Sequence, residues 1–283
     1  MNYKLPELDL SKSPKVFVGN RSRWATATAV SFVTDNLILV ASFLGKKIYL
    51  IDLDNMKILT ETNTVDYPDL LDYKDGLIGI AQRNGHGKFG NIGLYELKDN
   101  IIKHIREIDL KNYTELHGIR VIDENKIIFT DKSKGRGVHI LEWKTDKISS
   151  YNNFKFFPCD IFLLNNQILV LTTETKPNNS GLKNYNTKLS HLHLFDFPSF
   201  KEISKVSFEG QVDCISYDNN VGFITVQNDD SLFHFSIQDN KLYANGFVKK
   251  DFSFPHGVAM KNNKVIVTNY GTNSLSIFDS NNI

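Results

Sequence analysis

Apolar residues in this chain fall in short, often β-branched runs separated by polar turns, and no long 3.6-residue apolar period appears. The segment from Pro255 to Asp279, PHGVAMKNNKVIVTNYGTNSLSIFD, shows the unit: an apolar strand, an Asn-rich turn, a β-branched strand, a Gly-containing loop and a third, alternating strand. Its first two strands recur upstream in ATAVSFVTDNLILVAS from Ala27, PDLLDYKDGLIGIAQ from Pro68, LHGIRVIDENKIIFTDK from Leu116, PCDIFLLNNQILVLTT from Pro158 and VDCISYDNNVGFITVQ from Val212. The equivalent positions just inside the first strand are Thr28, Asp69, His117, Cys159, Asp213 and His256, separated by 41, 48, 42, 54 and 43 residues. Repeats of about 40–50 residues made only of short strands are the signature of propeller blades.

The pattern predicts an all-β fold: a six-bladed β-propeller of four-stranded antiparallel blades, one domain over residues 1–283. The last copy holds three strands, and SPKVFVGN, residues 13–20, is strand-like without a partner in its own blade. Residues 13–20 are expected as the outer strand of the last blade, where they close the ring and cover an edge that would otherwise template aggregation.

Composition narrows the partners. Hydrophobic residues at 41% and charged residues at 23% suffice for a buried core, and a net charge of +1 gives no general attraction to nucleic acid or an anionic membrane. The longest apolar stretch, Leu37 to Leu44, is too short to span a bilayer. The N-terminus lacks a secretory pattern, and two cysteines make no disulfide framework, so a reducing, cytoplasmic setting is expected. The expected ligand is a small molecule at the tunnel mouth, not nucleic acid or a membrane.

In a propeller the first strand of each blade lines the central tunnel, so the six aligned positions form a ring. In a six-fold arrangement Asp69 faces Asp213 and His117 faces His256. Imidazole, carboxylate and thiolate donors together suit a divalent metal, zinc or calcium, with Asp69, His117, Asp213 and His256 as its ligands. His117, His256 and Asp213 are also the candidates for proton transfer, and Thr28 and Cys159 complete the ring as candidate substrate contacts. Hydration of the tunnel and hydrogen bonding to nearby backbone is the competing role for all six.

Segments at the second-to-third-strand connections carry ten Lys or Arg residues against four Asp or Glu, which favours an anionic ligand. Arg21, Arg23 and Arg83 lie nearest the axis and are the expected substrate-binding cations, whereas the lysines read as ordinary solvated surface. The Asn- and Lys-rich stretch from Lys176 to Lys188 is expected as a long loop, a candidate lid.

Other signals reduce to structure. Gly85 to Gly90 satisfies a GxGxxG search, but the following IGLYEL is a strand and offers no helix N-terminus to a pyrophosphate. His139, His191, His193 and His234 fall in third strands, where packing between sheets is the expected role. No GxSxG, HExxH, Walker or CxxC pattern occurs.

The His117-Gly118 and His256-Gly257 pairs, each followed by an apolar strand, a polar turn and IIFTD or VIVTN, resemble NHL-type and gluconolactonase-like (SMP-30-type) propellers, and TNYGTNSLSIFD resembles the YVTN-type repeat. The resemblance implies a propeller and either hydrolase or lyase chemistry at a tunnel metal or a non-catalytic binding scaffold. Some relatives, including the peptidylglycine lyase domain, hold a metal with histidines from different blades; two channel histidines here, not three, depart from that pattern. Two functions stay open: a metal-assisted hydrolase or lyase acting on a small anionic molecule, and a ligand- or protein-binding propeller.

Overall fold

The computed structural model describes residues 27–83, 90–133, 136–174, 189–249 and 252–282, which form six antiparallel sheets. Blade 1 contains β1 (Ala27–Phe32), β2 (Leu37–Ser42), β3 (Lys47–Asp52) and β4 (Lys57–Asn63). Blade 2 contains β5 (Tyr67–Lys74), β6 (Leu77–Arg83), β7 (Gly90–Lys98) and β8 (Ile101–Leu110), and blade 3 β9 (Leu116–Asp123), β10 (Lys126–Asp131), β11 (Gly137–Glu142) and β12 (Lys147–Tyr151). Blade 4 contains β13 (Phe157–Leu163), β14 (Gln167–Thr173), β15 (Ser190–Asp196) and β16 (Glu202–Phe208), and blade 5 β17 (Val212–Asp218), β18 (Val221–Val226), β19 (Ser231–Gln238) and β20 (Lys241–Lys249). Blade 6 shows β21 (Pro255–Lys261), β22 (Lys264–Asn269) and β23 (Ser274–Asp279) among the described residues. The six-bladed, all-β architecture is the one the repeat predicts; its expected closing strand, residues 13–20, lies outside the described residues.

Described residues alone complete the circle. The inner strands β1, β5, β9, β13, β17 and β21 each pack on the next, and β21 returns to β1. His256 Nδ1 donates to Thr28 O at 2.8 Å across that junction, and Thr268 Oγ1 donates to the same carbonyl at 3.2 Å.

Sequence patterning follows radial position. Strands with a blade on either side carry continuous apolar runs, as in the LILVAS of β2, whereas the outermost β4, KILTETN, alternates because one of its faces meets water. Aromatic rings fill the wedges between blades: Phe208 stacks on Phe233 at 3.8 Å, Tyr151 on Phe200 at 4.4 Å, and Phe223 meets Phe278 edge-on. Each buried ring of this kind contributes roughly 1.5–3 kcal/mol.

The two faces of the disc differ in turn chemistry. Hairpins between first and second strands and between third and fourth strands emerge on one face, and several are two-residue turns with both residues at positive φ: Asp75-Gly76, Asp99-Asn100, Asn219-Asn220, Asp239-Asn240 and Asn262-Asn263. That geometry matches strand twist and suits Asn, Asp and Gly. Longer connections leave from the opposite face, where the inner strands begin and the aligned ring residues sit.

Candidate functional site

Each ring residue sits in a β-bulge. Pairing of first and second strands slips between Ala27 and Ala29, Pro68 and Leu70, and Pro158 and Asp160, leaving Thr28, Asp69 and Cys159 as the extra residues. In blades 3, 5 and 6 the bulge places two residues opposite one threonine: His117-Gly118 opposite Thr130, Asp213-Cys214 opposite Thr225, and His256-Gly257 opposite Thr268. A bulge turns a side chain out of the regular alternation, and six of them bring residues distant in sequence to one axis.

The three threonines were not singled out in the sequence, yet they fix the ring. Each hydroxyl accepts from the amide of the second bulge residue: Gly118 N at 2.8 Å, Cys214 N at 2.9 Å and Gly257 N at 2.7 Å. Each also donates to the carbonyl of the ring residue in the next blade: Cys159 O at 3.0 Å, His256 O at 2.7 Å and Thr28 O at 3.2 Å. The visible signal was a threonine near the end of the second strand in FITV, IIFTD and VIVTN. The glycines allow the close approach of blades, since a Cβ on Gly118 would lie 2.7 Å from Asp160 Cα and one on Gly257 2.6 Å from Thr28 O.

Asp69, His117, Asp213 and His256 converge as the radial alignment anticipates. His117 Nε2 lies 2.7 Å from Asp213 Oδ1 and His256 Nε2 2.7 Å from Asp213 Oδ2, while Asp69 oxygens stand 3.9 Å from each Nε2. All four side chains are buried. The other ring nitrogens are committed, because His117 Nδ1 donates to Cys159 O at 2.8 Å and His256 Nδ1 to Thr28 O at 2.8 Å. Those carbonyls fix the Nδ1–H tautomer, so each Nε2 presents a lone pair to a carboxylate unless a positive charge lies between them. The geometry therefore requires cations at this point: protons on the rings, or a metal ion that shares the same donors.

Electrostatics agree. Burial pushes the Asp213 carboxyl up, but the His117 and His256 imidazoles outweigh it and hold it well below the ordinary range. Asp69, also opposed by burial, is held low by Arg83 first and then by the two histidines. Burial lowers His256, and the adjoining Asp213 more than reverses this, leaving its pKa raised. His256 also stacks on Tyr270, with centroids 5.4 Å apart.

Around this cluster Arg83 Nε donates to Asp69 Oδ2 at 2.7 Å, and Gln227 Nε2 donates to Asp213 Oδ2 at 3.0 Å. Of the expected substrate cations, Arg83 thus reaches the site, with its side chain 42% exposed; Arg21 and Arg23 lie outside the described residues, as do the candidate lid and most of the GxGxxG match. Thr28 is fully buried and its hydroxyl donates to Pro68 O at 3.2 Å, a contact between blades. Cys159 is fully buried, and desolvation pushes its thiol up to about 11. The reading of the loop lysines as solvated surface fails at Lys132, which is buried 3.9 Å from Asp213 Oδ1. Position alone misled there: Lys132 follows β10 directly, so its side chain enters the tunnel.

The third-strand histidines, expected to pack between sheets, instead make these ring contacts within their own blade or with the segment leading into it. His139 meets Tyr113 and Phe129, His234 stacks on Phe223, His191 on Phe156 and His193 on Phe195.

Deeper along the axis lies a cavity of about 180 Å³ lined by Ser31, Asp72, Arg120, Asp160, Phe162 and Met260 among others. Arg120 spans it, donating through Nη2 to Asp160 Oδ2 and to Ile215 O, both at 3.0 Å. Asp160 Oδ2 also accepts from Ile215 N at 2.9 Å, so this ion pair crosses the tunnel from blade 3 to blades 4 and 5. No helix of the described residues is long and apolar enough to cross a membrane.

Comparison with known proteins supports the fold. No curated protein matches the chain in sequence. The chain is similar in structure to U3-55K, at 8% identity with TM-score 0.61 over 90% of this chain and 95% of that one. It is similar to a chain of hydrazine synthase from Kuenenia stuttgartiensis, at 9% identity with TM-score 0.60 over 90% and 95%, and to the WD40 repeats of RRP9, at 12% identity with TM-score 0.58 over 90% and 76%. Residues 252–278 match the NHL repeat family, so the chain is a six-bladed β-propeller that carries an NHL repeat in its last blade.

Proposed function

We propose that the tunnel mouth is the active site of a metal-assisted hydrolase or lyase acting on a small anionic molecule. The observation that carries this reading is the set of acceptors on the axis: two imidazole nitrogens whose tautomers are fixed from behind, each 2.7 Å from a buried carboxylate. The donors fit a divalent ion. Asp69, His117 and His256 offer ligand atoms within 4.8 Å of one another, and Asp213 touches both rings. Two imidazoles favour zinc over calcium, which prefers an all-oxygen shell. Bound there, such an ion polarises a carbonyl or lowers the pKa of a water.

The residues of the chain supply the rest. Carbonyl oxygens of Cys159 and Thr28 orient the rings, as hydrogen-bond partners behind metal-ligating histidines commonly do. Asp213, bridging both rings, is placed to take a proton from a group held between them. Arg83 and Lys132 balance Asp69 and Asp213 in charge, so any added cation leaves the site positive and selects an anion. This chemistry is that implied by the gluconolactonase-like and NHL-lyase resemblance.

A binding scaffold is the second reading, favoured by the likeness to propeller chains such as one in the structure of the mitotic checkpoint complex. Elemental analysis of untagged protein separates the two. The enzyme reading expects one equivalent of a divalent metal, reduced in His117→Ala and His256→Ala; protein that stays metal-free after preparation with zinc, manganese or calcium overturns it.

A further inference from the structure

Lys132 is a buried cation that, among the described residues, has no oxygen within hydrogen-bond distance of its ammonium. Its side chain is 7% exposed, yet its Nζ lies 3.9 Å from Asp213 Oδ1, beyond hydrogen-bond distance, and the side chain that it hydrogen-bonds is the Cys159 thiol, a weak acceptor. Among the described residues it donates to no carbonyl, hydroxyl or carboxylate within bonding distance. An ammonium has three donors and is costly to bury without acceptors. Arg83, by contrast, is engaged with Asp69 through two nitrogens.

We propose that Lys132 is the substrate anchor of this tunnel and that the group it binds is the carboxylate of a small organic monoanion. This rests on the proposed catalytic reading of the site and names the class of its substrate. One ammonium with only a distant carboxylate and a thiol beside it has donors left for one carboxylate; a phosphate dianion would require a second such donor, and Arg83 is already paired at hydrogen-bond distance. The anchor adjoins the cluster through Asp213, which is 2.7 Å from both histidines. The carboxylate is therefore held beside the reacting centre, and Lys132 determines specificity while the His–Asp cluster performs the chemistry.

The test uses the full chain, with propionate and inorganic phosphate as probes in isothermal titration calorimetry. Propionate is expected to bind wild type at one equivalent and more tightly than phosphate, and to bind Lys132→Met at least tenfold more weakly, with the metal content of the two proteins equal. Equal propionate affinity in both proteins, no propionate binding to wild type, or preference for phosphate overturns the proposal. Wild-type protein offers a second measurement should Lys132→Met fold poorly: saturating propionate slows acylation of Lys132 relative to Lys126 in peptide mass spectrometry, and unchanged relative rates refute the anchor. Metal analysis of the same samples keeps the two readings apart. Metal-free protein that binds propionate through Lys132 removes the metal-assisted function but leaves the anchor; metal-loaded protein with Lys132-independent propionate binding does the reverse.

Discussion

Asp213→Asn tests the charge assignment through the sign of its effect. Asp213 lies 2.7 Å from the Nε2 of each of two imidazoles and accepts at 3.0 Å from Gln227 Nε2, all in a buried setting. If the rings carry protons or share an ion, the substitution replaces an anion between two cationic groups with a neutral amide. Removing one partner of such a buried pair costs about 3–5 kcal/mol. At about 2–4 °C per kcal/mol for a large domain, a loss of 3 kcal/mol corresponds to a fall in melting temperature of about 6–12 °C. If the rings are instead neutral and no ion is shared, wild type opposes lone pairs to lone pairs, and an amide NH2 pointed at one Nε2 relieves that contact. Asn would then stabilise the protein. The assay is thermal unfolding by circular dichroism at pH 6, with and without chelator. A variant as stable as wild type, or more so, in metal-free buffer would refute the requirement for positive charge between the rings and Asp213.

Three further outcomes are expected. Thr225→Val keeps the shape of the side chain but strips His256 O and Cys214 N of their shared partner; two buried unsatisfied groups cost about 2–6 kcal/mol, read as a lower urea midpoint, and the displaced His256 also weakens metal binding. For metal-free protein the melting temperature passes through a plateau. The contribution of His256, whose pKa is raised, is complete below its ordinary value of 6.5 and disappears as pH rises through the raised folded-state value; that of Asp213, whose pKa is lowered, is complete above 3.8 and disappears as pH falls through the lowered one. Melting curves across pH check both limbs, and a bound divalent ion should abolish the alkaline one. Both cysteines are buried with their thiols raised, so a chromogenic disulfide reagent should titrate none in native protein at pH 7 and two after denaturation.

The fold was legible because its unit is local and repeated six times. Each Asn- or Asp-rich turn marks a hairpin, and the equivalence of Asp69, His117, Asp213 and His256 follows from counting along the repeat, with no knowledge of contacts. The site beyond those four was only partly legible. Arg83 stood out because arginine beside an inner strand has little choice but to meet the axis. Lys132 did not, since nothing in FTDKSKGRG separates a lysine that turns inward from its neighbours that face water. Thr130, Thr225 and Thr268 were hidden for another reason: threonine is common in strands, and its significance here comes from a bulge on the adjacent strand and a carbonyl on the next blade, both tertiary facts. Arg120 was hidden likewise, because its bond to Ile215 O spans 95 residues of sequence.

The bulges have a consequence for how such a centre can change. Where they are stapled, they are held by main-chain amides and carbonyls and by threonines of the adjoining strand, none of which depends on what the protruding side chain is. Blades 3, 5 and 6 thus behave as three sockets around a common spindle, each accepting a donor, an acid or an inert filler while the frame stays the same. Exchanging the occupant of one socket alters the chemistry at the hub by a single group, which makes this architecture easy to retune one position at a time.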